Sequence, residues 1–416
     1  MKEQNFLMLA HAYPPFGGGG VQRISKFAVY LKEEGWDATV LAPNESSDSW
    51  IDQERMKEVS GVEVIRLGKR NLKNDPLYTR ILRRFFPADA YFMWAVNAWK
   101  LIQNHPQKKW KLVLSSSPPH SIHLAGMWIA RSLGIPWVAD FRDHFTLGPE
   151  YRAGFIKRKA DLFLERQFLK NADALILNTE TNRRELLRRF PEADPQKIHV
   201  IYNGFDHQDL VLSPDQPPGF EDRTRCHLLY LGGLRGDHID GTFYHMLAQA
   251  IRLRPGLEKK LLVHIVGDVS RKGSLADSLG LNSCMVFSEA VAYNKVADFI
   301  HAADACLTWQ RPSPRYKGTI AGKLFDYIGM QKPVFSLGQK DGEIAGILSR
   351  FKIGLSADPA EPEAAAREFL HFLDALEAGE YRYPEGAGDF LSIFDRRSQS
   401  AQLAAVFNHI AADKQK

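Results

Sequence analysis

Cysteine is scarce in this sequence: three residues among 416, Cys226, Cys284 and Cys306, lie far apart and form no C-x-x-C pair. That scarcity excludes a disulfide framework and a cysteine-held zinc site, and it points to a reducing, cytoplasmic setting. Long apolar runs are also missing. None approaches the roughly 20 residues needed to cross a bilayer, and the run from Phe6 to Ala10 is too short for a signal-peptide core. No segment is low in complexity, and no sequence repeat relates the two halves. No two aspartates stand one residue apart, so a divalent ion held on a D-x-D pair is excluded and no metal is expected.

What is present is ordinary in bulk and uneven in detail. Hydrophobic residues at 44% and charged residues at 25% fit a globular protein, and the length favours two hydrophobic cores over one. The net charge of +5 is concentrated between Arg66 and Arg84, ahead of Phe85-Phe86 and Tyr91-Phe92-Met93-Trp94. Residues 66–94 therefore suit contact with an anionic membrane or an acidic acceptor. They equally suit a solvated basic loop ahead of a helix that buries its aromatics. No nucleic acid partner is expected.

Short apolar runs alternate with helical patterns along most of the chain, the pattern of a parallel α/β sheet. Strands are predicted at Phe6 to Ala10, Ala38 to Ala42, Val62 to Leu67, Leu112 to Ser115, Trp137 to Asp140, Ala174 to Asn178 and Ile198 to Ile201. A second series follows at His227 to Leu231, Leu261 to Val266, Met285 to Phe287, Ala305 to Leu307, Pro333 to Leu337 and Ile353 to Leu355. Between them, helices are expected, among others at Val21 to Glu34, Ser121 to Leu133, Lys157 to Asn171 and Thr319 to Met330. The proline-rich stretch Leu212 to Gly219 reads as a linker. The expected division is a doubly wound domain over 1–203, a second over 204–388, and a C-terminal helix over 389–416 packing back on the first. Open parallel sheets bind ligands beyond the carboxyl ends of their strands, so two facing sheets would make an interdomain cleft.

Polar and glycine-rich segments gather at those strand ends. After the first strand, His11 to Arg23 contains Gly17, Gly18, Gly19 and Gly20, which let backbone approach a phosphate before a helix begins; a merely flexible turn is the alternative. The fourth strand leads into Ser115 to His123, with His120, and the fifth into Asp140, Arg142, Asp143 and His144. So much charge in one place suits ligand contact, or a salt bridge from Arg142 to Asp140 or Asp143 that orders the loop. In the second half, Gly232, Gly233 and Arg235 close one strand and Gly267-Asp268 the next. Arg235 offers a planar donor fork to a diphosphate, or is an exposed arginine. From Lys317 to Val334, Lys323 adds a positive charge to an expected helix start, and Asp326 can accept from vicinal ribose hydroxyls; a solvated helix start would look the same.

Taken in order, Tyr13-Pro-Pro with its glycines, Ile201 to Asp206, Leu231-Gly-Gly, Val266-Gly-Asp268, Ala302-Ala-Asp304, Gly322 to Tyr327 and Lys332-Pro-Val334 resemble the family-four retaining glycosyltransferases of the GT-B fold, over almost the whole chain. Ser117 to His123 with Ala139 to Asp143 is similar to a bacterial subgroup associated with surface-polysaccharide assembly. The resemblance implies two Rossmann-like domains and sugar transfer from a nucleotide-diphosphate donor, by family precedent a UDP-sugar, to a glycan or lipid-linked acceptor. No cofactor is implied. Donor contacts would fall on Gly18, Gly19, Gly20, Gly233, Gly267, Thr319, Ile320, Leu324 and Asp326, and catalytic roles on Arg235, Lys323, Asp143 and His120. Asp140, Arg142 and His144 would position the acceptor or donor sugar. Two positions depart from the family pattern of paired glutamates: Gly318 has no side chain, and Asp326 is one methylene shorter.

Transfer from a nucleotide diphosphate builds negative charge on the departing phosphate, and the expectation is that Arg235, Lys323, the Thr319 helix start and the glycines of residues 17–20 stabilise it without a metal. Three alternatives share the platform. They are an epimerase of the same fold, a small-molecule glycosyltransferase, and a noncatalytic nucleotide-binding protein.

Overall fold

A computed structural model describes residues 4–17, 19–44, 52–68, 89, 91–105, 109–214, 216–233, 241–267, 274–311, 313–383 and 388–413. The chain divides into two compact units, Met1–Asn203 with Arg396–Lys416, and Gly204–Asp395.

The first unit is built on a seven-stranded parallel sheet. Its strands are β1 (Gln4–Ala10), β2 (Trp36–Pro43), β3 (Glu63–Leu67), β4 (Val113–Ser117), β5 (Trp137–Phe141), β6 (Ala174–Leu177) and β7 (Ile198–Val200). They lie in the order β3-β2-β1-β4-β5-β6-β7. A parallel strand returns only through a crossover, so helices cover both faces and the central strands are apolar on both sides. In β1 the two-residue repeat sends Leu7 and Leu9 into one core with Trp94, Ile129 and Phe168, and Phe6 and Met8 into the other with Phe27, Leu31 and Phe407. Helix Ser121–Leu133 ends at Gly134, whose φ of 67° is the left-handed conformation that glycine adopts without a Cβ penalty.

The second unit repeats the plan with six parallel strands. These are β8 (Cys226–Leu231), β9 (Leu261–Val266), β10 (Met285–Ser288), β11 (Ala305–Trp309), β12 (Val334–Leu337) and β13 (Gly354–Ala357), in the order β10-β9-β8-β11-β12-β13. In both sheets the winding reverses at the centre, between β1 and β4 and between β8 and β11. Loops leaving those neighbouring strands diverge, which opens a crevice at their carboxyl ends.

Several sequence expectations require correction. The boundary expected at 388/389 falls at 395/396, because helix Gly388–Phe394 buries Phe390 and Phe394 against Phe351 and Phe325 of the second unit. The single helix expected over 389–416 is therefore two, broken at Asp395, whose backbone bridges to Phe205. Only Arg396–Asp413 packs on the first unit, where Phe407 meets Phe6 and Trp36 edge-on and the Trp36 indole N–H donates to Asn408 Oδ1 at 3.0 Å. The stretch 212–219 is no free linker: Asp298 accepts from the Ser213 amide at 2.7 Å and from its hydroxyl at 2.6 Å. The helix expected from Thr319 begins at Lys323 and ends at Gly329, and the first helix begins at Gly19 rather than Val21. Glycine's low helix propensity hid that start.

Most of residues 66–94, including 69–88, lies outside the described residues. Arg66 donates to the Pro43 carbonyl at 3.1 Å and to that of Pro14, so its charge is engaged within the first unit. Among the described residues no helix is long and apolar enough to cross a membrane.

Phe407 is fully buried, so Phe407→Ala is expected to cost about 3–5 kcal/mol of stability. Urea unfolding followed by tryptophan fluorescence measures it; a cost near zero would mean that the C-terminal helix is not part of this core.

Candidate functional site

In the first unit the crevice between β1 and β4 is organised by two arginines. Arg142, just after β5, donates from Nε to the Ser117 carbonyl at 2.9 Å, from Nη2 to that of Pro118 at 2.9 Å, and from Nη1 to that of Gly20. It thereby ties the end of β4 to the start of the first helix. A Cβ on Gly20 would lie 2.8 Å from Arg142 Nη1, so the glycine makes room for the guanidinium. Arg23, one turn further along that helix, is buried. It donates to both Asp140 oxygens, at 2.8 and 3.3 Å, and to the Tyr202 carbonyl at 2.6 Å. The Ser116 hydroxyl completes the Asp140 shell at 2.7 Å.

These contacts change the reading of Asp140. Its salt-bridge partner is Arg23 rather than Arg142, and it is fully buried with both oxygens engaged. It orders the strand ends, and its carboxylate is occupied within the protein. The serines of β4 are likewise internal: His123 bridges Ser115 and Ser117 through its two ring nitrogens at 2.8 Å each, and Trp137 donates to Ser115 at 2.8 Å. Fully satisfied networks of this kind rigidify the sheet beneath a site.

His120 and His144 are different. Burial, helped by Arg142 and His144 and opposed by Asp89, holds the His120 pKa down at about 4, and burial holds that of His144 at about 4. Both imidazoles are neutral at neutral pH. The His120 ring stacks on Phe145 at 4.5 Å and its Nδ1 is buried without a hydrogen-bond partner; His144 Nε2 stands 3.8 Å from Glu185, beyond hydrogen-bond distance. Asp143 is exposed. Gly19 and Gly20 form the first turn of the helix, and Gly18 lies outside the described residues.

In the second unit the ends of β8 and β11 carry a buried stack of aromatic rings with a cation over it. Tyr230, near the end of β8, stacks on Trp309, the last residue of β11, at 3.5 Å, and Trp309 stacks on Phe243 at 4.9 Å. Over the Tyr230 ring, 3.3 Å from its centroid, sits the Lys323 ammonium. Among the described residues no carboxylate pairs with it. Burial pushes its pKa well below the ordinary lysine value. Two glycines give the lysine its place. A Cβ at Gly232 would stand 3.2 Å from Lys323 Nζ, and one at Gly267 would stand 2.3 Å from the Gly232 carbonyl oxygen.

The segment before this helix is held by Gln310, which donates to the Thr319 carbonyl at 2.6 Å. Thr319 and Ile320 are thus loop residues rather than a helix start. Leu324 is fully buried and supports the helix from the core. Asp326 is buried and accepts from the Tyr293 hydroxyl at 3.0 Å, and the Tyr327 hydroxyl accepts from the Leu231 amide at 3.0 Å, joining helix to strand. Gly233 follows the β8 end; Arg235 lies outside the described residues. Arg23, Tyr230 and Trp309 were given no role in the sequence. Aromatics in the last turns of central strands are a usable signal, whereas Arg23 has no local signature.

Removing one partner of a buried ion pair strands the other, so Arg23→Met is expected to cost about 3–5 kcal/mol, and Arg23→Met with Asp140→Asn to recover more than half of that. Chemical denaturation of the two variants checks it; equal losses would mean that the pair is not coupled.

Residues 18–204 match the family model of the glycosyl transferase 4-like domain. A D-inositol 3-phosphate glycosyltransferase from Kineococcus radiotolerans is 30% identical over 155 residues, 34% of this chain and 35% of that enzyme. The match thus spans about a third of that curated relative's length. Over the whole chain the likeness is structural. Sucrose-phosphate synthase from Thermosynechococcus elongatus superimposes with a TM-score of 0.70 at 15% identity, covering 99% of this chain and 100% of that one. Anabaena HepE, solved in complex with UDP and glucose, gives 0.66 at 17% identity, covering 97% and 99%. The chain thus has the GT-B fold, and its residues 18–204 are similar to a glycosyl transferase 4-like domain.

Proposed function

We propose that the protein transfers a sugar from a nucleotide diphosphate, a UDP-sugar, to a hydroxyl of a glycan or lipid-linked acceptor, with retention at the anomeric carbon, in bacterial surface-polysaccharide or glycan assembly. The observation that carries this reading is Lys323: a desolvated ammonium without a carboxylate partner among the described residues, set at the switch point of a parallel sheet. A partly buried cation is costly until an anion meets it, and the same partial burial strengthens its pull on a departing phosphate. The buried Tyr230–Trp309–Phe243 stack beneath it fixes its position. Asp326, held by Tyr293, is the acceptor group for ribose hydroxyls.

The first unit supplies the acceptor side. His120, neutral and with Nδ1 unpartnered, forms a hydrogen bond with a sugar hydroxyl, and Asp143 and His144 follow the neighbouring strand β5. Retention fits a front-face route in which the departing phosphate takes the acceptor proton, and this needs no dedicated base. With no D-x-D pair in the chain, leaving-group charge is met by Lys323, backbone amides and Arg235, and the reaction proceeds without a metal.

UDP is expected to raise the thermal midpoint of the wild type, and Lys323→Ala to abolish that rise while leaving the protein folded. An unchanged UDP shift in the variant would remove Lys323 from the phosphate. Turnover is expected to survive a chelator, with the product anomer matching the donor's by NMR. Conversion of a UDP-sugar to its epimer without any acceptor would replace this reading by the epimerase one.

A further inference from the structure

Helix Phe155–Asn171 of the first unit has an outer face that nothing in sugar transfer requires. At 3.6 residues per turn, Phe155, Ile156, Lys159, Phe163, Arg166 and Lys170 fall on one side, within an arc of about 100°. Opposite them Asp161, Leu164, Glu165, Phe168 and Leu169 are buried. The three apolar side chains of the outer stripe are among the most exposed on the described surface: Phe155 at 74%, Phe163 at 62% and Ile156 at 59%. Large side chains so open to water, side by side, mark an interaction surface.

Charge selects the partner. The helix has only two acids, Asp161 and Glu165, and both turn inward, where Asp161 accepts from Lys157 at 2.8 Å and Glu165 from Thr146. Every exposed ionised group on the helix is a cation: Arg158, Lys159, Arg166 and Lys170. Lys159 lies 4.4 Å over the Phe155 ring, so ring and ammonium form one amphipathic unit. Among the described residues Arg166 is the one cation of the four in an ion pair, with exposed Glu192 at 2.9 Å, and exposed Arg152 and Glu150 lie just upstream. Apolar side chains bordered by cations match a bilayer whose acyl boundary accepts rings and whose headgroups carry phosphate.

We infer that the outer face of helix Phe155–Asn171 docks on an anionic lipid bilayer. Phe155, Ile156 and Phe163 enter the headgroup region while Lys159 and Lys170 on the same side, and exposed Arg158 at its border, meet lipid phosphates. The inference goes beyond sugar transfer and does not rest on it. It also assigns the contact to a part of the chain other than the basic stretch 66–94.

Co-sedimentation of the full chain with vesicles of phosphatidylcholine mixed with phosphatidylglycerol, against phosphatidylcholine alone, tests it. The wild type is expected to bind the anionic vesicles and to release from them as salt rises. Phe155→Ser with Ile156→Ser and Phe163→Ser is expected to lower the binding constant roughly tenfold or more, with an unchanged thermal midpoint because the side chains are already exposed. Arg158→Gln with Lys159→Gln is expected to lose roughly fivefold per charge at low salt and little at high salt. Serine variants that bind as the wild type does would overturn the inference. So would binding lost only when the basic residues of 69–84 are neutralised, or a wild type that ignores vesicles but forms a dimer that the serine substitutions dissociate, since the face would then join two copies of the chain.

Discussion

Parallel strands cannot be joined by a tight turn, and that constraint shapes both units. Each strand must cross back over a face of its sheet before the next begins, so the sheet is covered on both sides and its polar chemistry has nowhere to go but the strand ends. Reversal of the winding between β1 and β4, and again between β8 and β11, splays the loops at two such ends. The candidate residues of each unit lie there because the topology leaves no other concave, polar place for them.

The two crevices handle buried charge in opposite ways. Beneath the first, Asp140 is closed off by Arg23 and Ser116, while Arg142 is spent on three backbone carbonyls. Such a network orders loops and leaves little for a ligand. In the second, Lys323 has an aromatic face beneath it and no carboxylate partner among the described residues. A quadrupole offsets only part of the cost of desolvating an ammonium, so an anion that arrives there is held by an interaction the folded protein has left open. The contrast separates charges that build the site from the charge that uses it.

Gly232 and Gly267 show how far this placement is steric. Gly232 has a φ of 120°, which side chains rarely adopt, and at Gly267 the Gly232 carbonyl already fills the volume that a Cβ would take. Gly318, where the family pattern places a glutamate, is buried and adds no side chain, which leaves backbone as the sole contact it can offer to a sugar.

Much of the architecture was legible in the order of residues. The thirteen strands were found by apolar runs whose ends shifted by at most two residues, since a run buried on both faces needs only apolar residues of strand length. The resemblance drew on the same local patterns, and Lys323 and Asp326 stood out because they sit within one. Other features depended on contacts far apart in sequence. Arg23 and Asp140 are 117 positions apart, and Asp140 looked like a ligand group until its partner was known. The split of the last helix at Asp395 follows from which core Phe394 and Phe407 each fill. The face of helix Phe155–Asn171 shows the same limit: its residues spell an amphipathic helix, but that both acids turn inward and the aromatics outward was decided by how the helix packs. Local sequence determined where backbone would run as strand or helix, because hydrogen bonding and side-chain period act over a few residues. Tertiary structure alone decided which charges are paired and which remain open, because that depends on what lies across the fold.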